Sequence, residues 1–356
     1  MDIAIFTHGD ISNPSSRLRG YYIAKEFSKL GFNVMVFPRP RAKGNFFKRA
    51  SNIAIDVVRK LNMLFRINRQ VTVFIQRGIS RIHIMSLIFV LFAKIKKHKI
   101  IYDIDDALFL EDKISINTII RLSDLVVVGS RELYKYCKKI NKNVVQIPTS
   151  VDIAKYKEIL SIRLRNRYSK KEKVVLGFIG SPTTTRYLGI LVKPLAILSR
   201  KYDFELRVIS APSYSAYVKY NFIFEAFKKR NVNTKLIPWT PSEEIRQLSL
   251  IDIGLAPLTD GLWERYKGGF KVINYMAAGI PPVASRVGEH IFLIHDGVNG
   301  FLCKDEKEWV AKLGILIENP SLRLKMGQKA AEHAHKMFSL EINAKRLGLY
   351  IKHLIQ

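Results

Sequence analysis

The residues best placed to do chemistry lie in the stretch YKGGFKVINYMAAGIPPVAS, Tyr266 to Ser285. Lys267 and Lys271 stand four apart around the pair Gly268-Gly269. From Phe270 the pattern is helical: Phe270, Ile273 and Ala277 share one face, Lys271 and Asn274 another. The glycines let backbone approach a ligand closely. The unpaired N–H groups of a first helical turn, with the helix dipole behind them, favour an anion. The dipole alone contributes only about 0.3–1 kcal/mol at an exposed site, so the two lysine charges would carry more of the attraction. Gly279 supplies a left-handed stop, and proline follows it. The pattern predicts a phosphate-binding helix start made of Lys267, Gly268, Gly269 and Lys271. Its plain alternative is a solvated basic helix tip.

A second group is the carboxylate run of YDIDDALF. Asp103 and Asp105 would share one face of a strand, with Asp106 opposite. Carboxylates at the end of a parallel strand suit acid–base work or recognition of hydroxyls; the alternative is an N-cap cluster, with Asp106 capping the next turn. No histidine supports a metal set here, and no metal or other cofactor is expected. Cys137 and Cys303 have no ligand spacing and read as packing residues of a protein in a reducing compartment. Nothing matches a nucleophile elbow, a Walker loop or a zinc site.

The elements that must position these groups alternate. Apolar runs, among them DIAIFT, NVMVFP, VTVFIQR, KIIYDID and LVVVGS, are separated by helical patterns, the first of which, SSRLRGYYIAKEFSKLG, has Ser16 as its expected N-cap and Gly31 as its stop. The runs are apolar throughout, as strands covered on both faces are. After a polar, basic stretch the pattern restarts with VVLGFIG, FELRVIS, TKLIPW, IDIGLAPL, PPVASR and GFLC. Strand–helix alternation gives parallel sheets, so the fold class is α/β, two doubly wound domains. The division expected is 1–160 for an N-terminal domain and 161–335 for a C-terminal one, with a last amphipathic helix in 336–356 that can cross back to the first. Ligands of such sheets bind beyond the carboxyl ends of the strands.

The chain carries 59 Lys and Arg against 30 Asp and Glu, a net charge of +29 over 356 residues. Between Arg39 and Lys99 there are fifteen basic residues and one acid, Asp56. Within that span, NFFKRASNIAIDVVRKLNMLFRINR interleaves Phe46, Phe47, Ile53, Val57, Leu61, Leu64 and Phe65 with Lys and Arg. A basic amphipathic helix suits an anionic membrane surface, where each Lys or Arg contributes about 1 kcal/mol. Nucleic acid is not expected as a partner, because neither a recognition module nor an aromatic–basic platform is present. The apolar run Ile82–Ala93 is too short to span a bilayer and reads as a buried helix. The opening MDIAIFTHGD reads as a strand and turn, not a secretion signal.

The run FKVINYMAAGIPPVASRVGEHIFLIHDGVNGFL resembles the donor-binding region of the family 4, or group 1, glycosyltransferases. IDIGLAPLTD, LGFIGSPTTTRYL, YDIDDALF, SDLVVVGSRELYKYC and VVQIPTSVDIAKY are similar to further family segments, in order and spacing. The resemblance implies a GT-B fold: two Rossmann-like domains whose sheets face each other across a cleft, a nucleotide-sugar donor, no required metal, and in most members retention of configuration. It implies that Ser181, Thr183 and Arg186 of GFIGSPTTTRYLG meet the donor phosphates, that Arg17 serves the same anion from the first loop, and that Asp105 stands roughly where relatives carry a histidine contacting the sugar. His8, Asp103 and Asp106 are the remaining candidates for acceptor or sugar contact. One departure is plain. Of the family's pair of glutamates around this helix, the second, which contacts the ribose hydroxyls, is Asn274 here, and the first falls at Tyr266. An amide can still hydrogen-bond hydroxyls, with weaker bonds than a carboxylate makes.

The function expected is therefore transfer of a sugar from a nucleotide-sugar to a glycan or lipid-linked acceptor, in cell-surface polysaccharide or glycolipid synthesis. Lys271, Lys267 and Asp105 are the expected catalytic groups. The expected location is the cytoplasm, peripheral on the inner face of the cell membrane. A non-catalytic relative of the same fold is the alternative that Asn274 raises, and a basic nucleic-acid-binding protein the remoter one.

Overall fold

A computed structural model describes residues 2–39, 46–67, 71–80, 82–165, 173–211 and 214–355. The chain forms two units. One comprises Met1–Ser150, Tyr266–Gly268 and Leu340–Gln356; the other Val151–Arg265 and Gly269–Ser339. The sequence reading divides the chain at residue 160, whereas its contacts divide it after Ser150, so the helix Ile153–Arg165 goes with the second unit. The connecting residues 166–172 lie outside the described ones.

The first unit is built on six parallel strands: β1 (Asp2–Thr7), β2 (Asn33–Pro38), β3 (Thr72–Gln76), β4 (Ile100–Ile104), β5 (Leu125–Val128) and β6 (Val144–Gln146), in the order β2-β1-β3-β4-β5-β6. The order reverses between β1 and β3, which makes the loops leaving these two strands the switch point of the sheet. The inner strands β1, β3, β4 and β5 are buried on both faces, as their unbroken apolar runs require, while the edge strand β2 is half-exposed. On one face Ile3, Ile5, Phe74, Ile101 and Val127 pack against Ile23 and Phe27 of the helix Tyr22–Lys29, and against Leu340, Ala344, Leu347 and Ile351 of the helix Leu340–Ile355. The last helix thus belongs to the first unit.

Two local readings change. The first helix is capped by Asn13, not Ser16: the Asn13 side chain accepts from Ser16 N, and Pro14 takes the first helical position. Asparagine at the cap and proline just after it are the favoured pair there. The helix then widens into a π turn over Arg17–Tyr21, where Gly20 lies so close to β1 that a Cβ would sit 2.4 Å from Thr7 Cγ2. The run Ile82–Ala93 is not a buried helix either. The helix His83–Ile95 buries Leu87, Phe89, Val90 and Ala93, but leaves Ile84, Ile88, Leu91 and Ile95 exposed.

The second unit holds β7 (Val174–Ile179), β8 (Phe204–Ser210), β9 (Thr234–Pro238), β10 (Ile253–Ala256), β11 (Pro282–Ser285) and β12 (Phe301–Cys303), all parallel, in the order β12-β11-β10-β7-β8-β9. Here the order reverses between β7 and β10. Apolar clusters cover both faces: Ile251, Ile273, Met276 and Ala330 on one, Phe178, Leu206, Phe227 and Trp309 on the other. Cys137 and Cys303 are both buried, and burial pushes their thiols up, Cys137 to about 12.

Candidate functional site

At the switch point of the second unit, β7 and β10 pair through only two residue pairs, Ile253 with Leu176 and Gly254 with Gly177. Tyr275 fills the place where they part. Its hydroxyl accepts from Ile179 N at 2.9 Å and donates toward Gly177 O at 3.0 Å and Leu255 O at 3.2 Å. Gly254 is required beneath the ring, since a Cβ there would lie 2.4 Å from Tyr275 Cγ. Burial pushes the Tyr275 phenol up, so it remains a neutral hydrogen-bonding group.

Tyr275 belongs to the helix Phe270–Ala277, and Lys271 lies one turn ahead of it on the same face. By anchoring Tyr275 to the parting strands, the fold sets Lys271 over β7, with its Nζ 3.3 Å from the centre of the Phe178 ring. An ammonium over an aromatic face is attracted by the ring quadrupole. The loop after β7 bends around it: a Cβ on Gly180 would lie 3.2 Å from Lys271 Nζ and 2.5 Å from Thr184 Oγ1. The helix opens on Gly269 at φ 66°, a left-handed conformation that disfavours side chains. Gly269 packs on Leu293 and on the edge of His290. His290 donates from Nδ1 to Ser285 O at 3.0 Å, and burial, against that bond and with the Lys271 charge, pushes its imidazole down to about 4. A neutral His290 beside the helix start leaves Lys271 the local cation. The helix ends on Gly279 at φ 65°, as its sequence requires.

The other donor-side candidates are placed as follows. Ser181 Oγ and Thr183 Oγ1 lie 3.2 Å apart in the loop opening the 3-10 helix Pro182–Leu191. Arg186 donates to Glu264 Oε1 at 3.1 Å, which Tyr187 OH also reaches at 2.6 Å, so its charge already has a buried carboxylate partner. Asn274 is buried, and its Oδ1 accepts from Tyr156 OH at 2.5 Å.

The switch point of the first unit is a network of charge. Asp103, within β4, is buried and held by Arg19, whose Nε is 2.9 Å from Oδ2; Arg19 Nη1 also donates to Ile147 O at 2.9 Å. Burial pushes the Asp103 carboxyl up, and the Arg19 charge and hydrogen bonds act against it. This engagement gives Asp103 a structural partner inside the sheet. Asp105 and Asp106 lie past the strand end, both beside Arg77: Nη1 is 2.6 Å from Asp106 Oδ2 and 3.5 Å from Asp105 Oδ1. Arg77 itself sits at φ 63°, a conformation costing a non-glycine residue about 1–2 kcal/mol. Its peptide is held there by Asp103 O, which accepts from its N–H, and by the Tyr102 hydroxyl, which donates to its carbonyl. Lys60 Nζ donates to Ile79 O, and Ser86 Oγ accepts from Ile79 N, steadying the rest of that loop.

Ser15 donates to Asp105 Oδ2 and accepts from Gln76 Nε2 at 2.7 Å. Among the described residues no hydrogen-bond donor reaches Asp105 Oδ1, which lies 3.5 Å from Arg77 Nη1. Although burial works the other way, Arg77 and Arg19 hold the Asp105 carboxyl below its ordinary range; burial holds Asp106 above it, with Arg77 and Lys267 opposing. Two adjacent carboxylates pushed in opposite directions are a usual sign of divided roles, and an ionised Asp105 with one open oxygen can accept from a hydroxyl. Lys267 Nζ lies 3.6 Å from Asp106 Oδ1, and Gly268 packs on Gly129 O. His8 has Arg39 against its ring, with Nη1 3.1 Å from Nδ1. Arg17 donates to Ile11 O at 3.3 Å and braces its own loop.

Residues 173–319 match the family described as Glycosyl transferases group 1. Over this segment, which is less than half of its length, the chain is similar to the group 1 glycosyltransferases. A D-inositol 3-phosphate glycosyltransferase of Corynebacterium urealyticum is 26% identical over 181 residues, 49% of this chain and 41% of that protein. An N-acetyl-alpha-D-glucosaminyl L-malate synthase of Bacillus anthracis is 23% identical, over 64% of this chain and 60% of its own length. The chain thus spans only part of the length of these curated relatives. Among solved structures, Anabaena HepE in complex with UDP and glucose has a TM-score of 0.73 at 15% identity, covering 99% of both chains. Sucrose-phosphate synthase from Thermosynechococcus elongatus has 0.77 at 13%, covering 99% and 98%. At such identities the likeness speaks to the fold, which is GT-B. Within the matched segment, Tyr275 is the positioning residue that sequence reasoning missed; its signal was the spacing of four from Lys271. Arg19 and Arg77 were also missed, and only the position of Arg77 at a strand end hinted at it.

Proposed function

We propose that the chain transfers a sugar from a nucleotide-sugar donor to a glycan or lipid-linked acceptor, with retention of configuration and without a metal. The carrying observation is the Lys271 ammonium held over Phe178 at the start of the helix Phe270–Ala277, beside the Gly180 loop at a strand switch point. As the glycosidic bond breaks, negative charge grows on the leaving diphosphate, and preorganised donors and cations stabilise it. Lys271, the N–H groups of the first turn at Gly269, and the hydroxyls of Ser181 and Thr183 would meet that charge. Asn274 is assigned to the ribose hydroxyls, with its Oδ1 already taken by Tyr156. Arg186 would reach the phosphates only by sharing its charge with Glu264. On the acceptor side Asp105 is assigned the attacking hydroxyl, with Asp106, Asp103 and His8 around it. The names of the relatives and the UDP complex of HepE support a nucleotide-sugar donor.

The engagement of Asn274 favours a second reading, a relative of the same fold that binds the nucleotide without transfer. Titration of the protein with uridine and guanosine diphosphates and their sugars tests the first step. Lys271→Ala should weaken binding about 10–100-fold, the value of a charge-assisted contact. Absence of binding to the parent, or equal binding by the variant, refutes the assignment. Transfer or hydrolysis of the bound donor separates the two readings.

A further inference from the structure

The helix His83–Ile95 turns an aliphatic stripe outward. Ile84, Ile88, Leu91 and Ile95 fall at intervals of four, three and four, one helical face, and are 44%, 42%, 44% and 75% exposed. A helix packed on a sheet and bathed in water would carry polar residues there. Beside it, on the helix Phe46–Arg66, Phe65 is 57% exposed and meets Phe92 at 4.6 Å between ring centres in a tilted contact, with Lys96 Nζ 4.3 Å above its ring. Ile55 and Val58 of the same helix are also exposed. The side chains of 46–54, including Phe46, Phe47 and Ile53, lie outside the described residues, so the stripe does not depend on them.

We propose that the stripe Ile84, Ile88, Leu91 and Ile95, with Phe65 and Lys96, is a docking face for an anionic lipid bilayer. The charge around it selects that occupant. The helix His83–Ile95 has no acid. Of the nearby acids, Asp56 is taken by buried Lys60, Asp124 by Lys94 and Glu111 by His83. Arg59, Arg66, Lys97 and Lys99 are exposed. A second copy of the chain would bring the same cations against one another across a two-fold axis, whereas acidic headgroups neutralise them. The length sets the mode of contact: thirteen residues rise about 20 Å, short of the roughly 30 Å hydrocarbon core, and among the described residues no helix is long and apolar enough to cross. The helix lies in the interface, its aliphatic face down, with lysine and arginine stems reaching headgroups. The inference deepens the acceptor side of the proposed reaction, because a lipid-linked acceptor lies in that plane, but it stands on its own surface.

The test is co-flotation of the full chain with vesicles of phosphatidylcholine alone or mixed with phosphatidylglycerol, at physiological salt. The parent should float with the mixed vesicles, and Ile88→Ser with Leu91→Ser should lower its partition about tenfold or more. The thermal shift given by uridine diphosphate should be the same in parent and variant, which shows that the variant is folded; a missing shift in the parent would fail the donor reading and leave docking standing. If the pair unfolds the chain, Ile95→Ser, at the most exposed position, carries the comparison. A parent that ignores acidic vesicles, a folded variant that floats like the parent, or a parent dimer that the variant dissociates each overturns the proposal.

Discussion

Removing Arg19 should unfold the first unit far more readily than its single position suggests. Arg19 is 1% exposed and forms a two-pronged pair with Asp103, also 1% exposed. It further donates to Ile147 O and Thr149 Oγ1. Arg19→Met would leave a buried carboxylate without its countercharge, which costs about 3–5 kcal/mol. For a unit of about 170 residues each kcal/mol lowers the melting temperature by about 2–4 °C, so a fall of roughly 6–20 °C is expected. Arg19→Met with Asp103→Leu removes the stranded charge together with its cause and should recover about 2–3 kcal/mol, short of the parent by the orphaned Ile147 carbonyl. Scanning calorimetry and urea unfolding of parent, single and double variants measure the difference. A single variant within about 1 kcal/mol of the parent, or a double variant no better than the single, would refute the reasoning.

Two further outcomes follow from the second unit. His290 is pushed down to about 4 from an ordinary 6.5, so between these values the unfolded chain binds the proton that the folded chain refuses. The stability this neutral histidine gives is complete above pH 6.5 and is lost as pH falls to 4, by about 3 kcal/mol; thermal unfolding from pH 7.5 to 4.5 should show the decline, and His290→Gln should flatten it. Gly180→Ala places a methyl 2.5 Å from Thr184 Oγ1 and 3.2 Å from Lys271 Nζ, so nucleotide affinity should drop at least about tenfold with little change in melting temperature, as calorimetric titration would show; unchanged affinity would mean that Lys271 does not work from this position.

Much of the fold was legible because its signals are local. Unbroken apolar runs such as VVVG and VVLGFI mark strands covered on both faces, and Gly269, Gly279 and Gly31 mark helix limits through backbone angles that each glycine adopts without a neighbour's help. The helix Phe270–Ala277 was readable for the same reason. The charged network of the first unit was not. Arg19 and Asp103 are 84 residues apart, and their meeting depends on the order in which β1, β3 and β4 are laid side by side. Arg77 reads as one more cation in a basic stretch until its left-handed backbone turns it onto Asp105 and Asp106. The run Ile82–Ala93 misled because apolar content says that a helix has a dry side, not that both sides are dry.

The return of Leu340–Ile355 to the first unit has a consequence for synthesis. Ile23, Phe27 and Phe32 share a cluster with Leu340, Ala344, Leu347 and Ile351. At about 5–20 residues per second, some 190 residues, or roughly 10–40 s, separate the emergence of Ser150 from that of the closing helix. Throughout that interval the first six strands wait on the ribosome with a greasy flank uncovered, and a chaperone that shields it would be working against a delay built into the order of the chain.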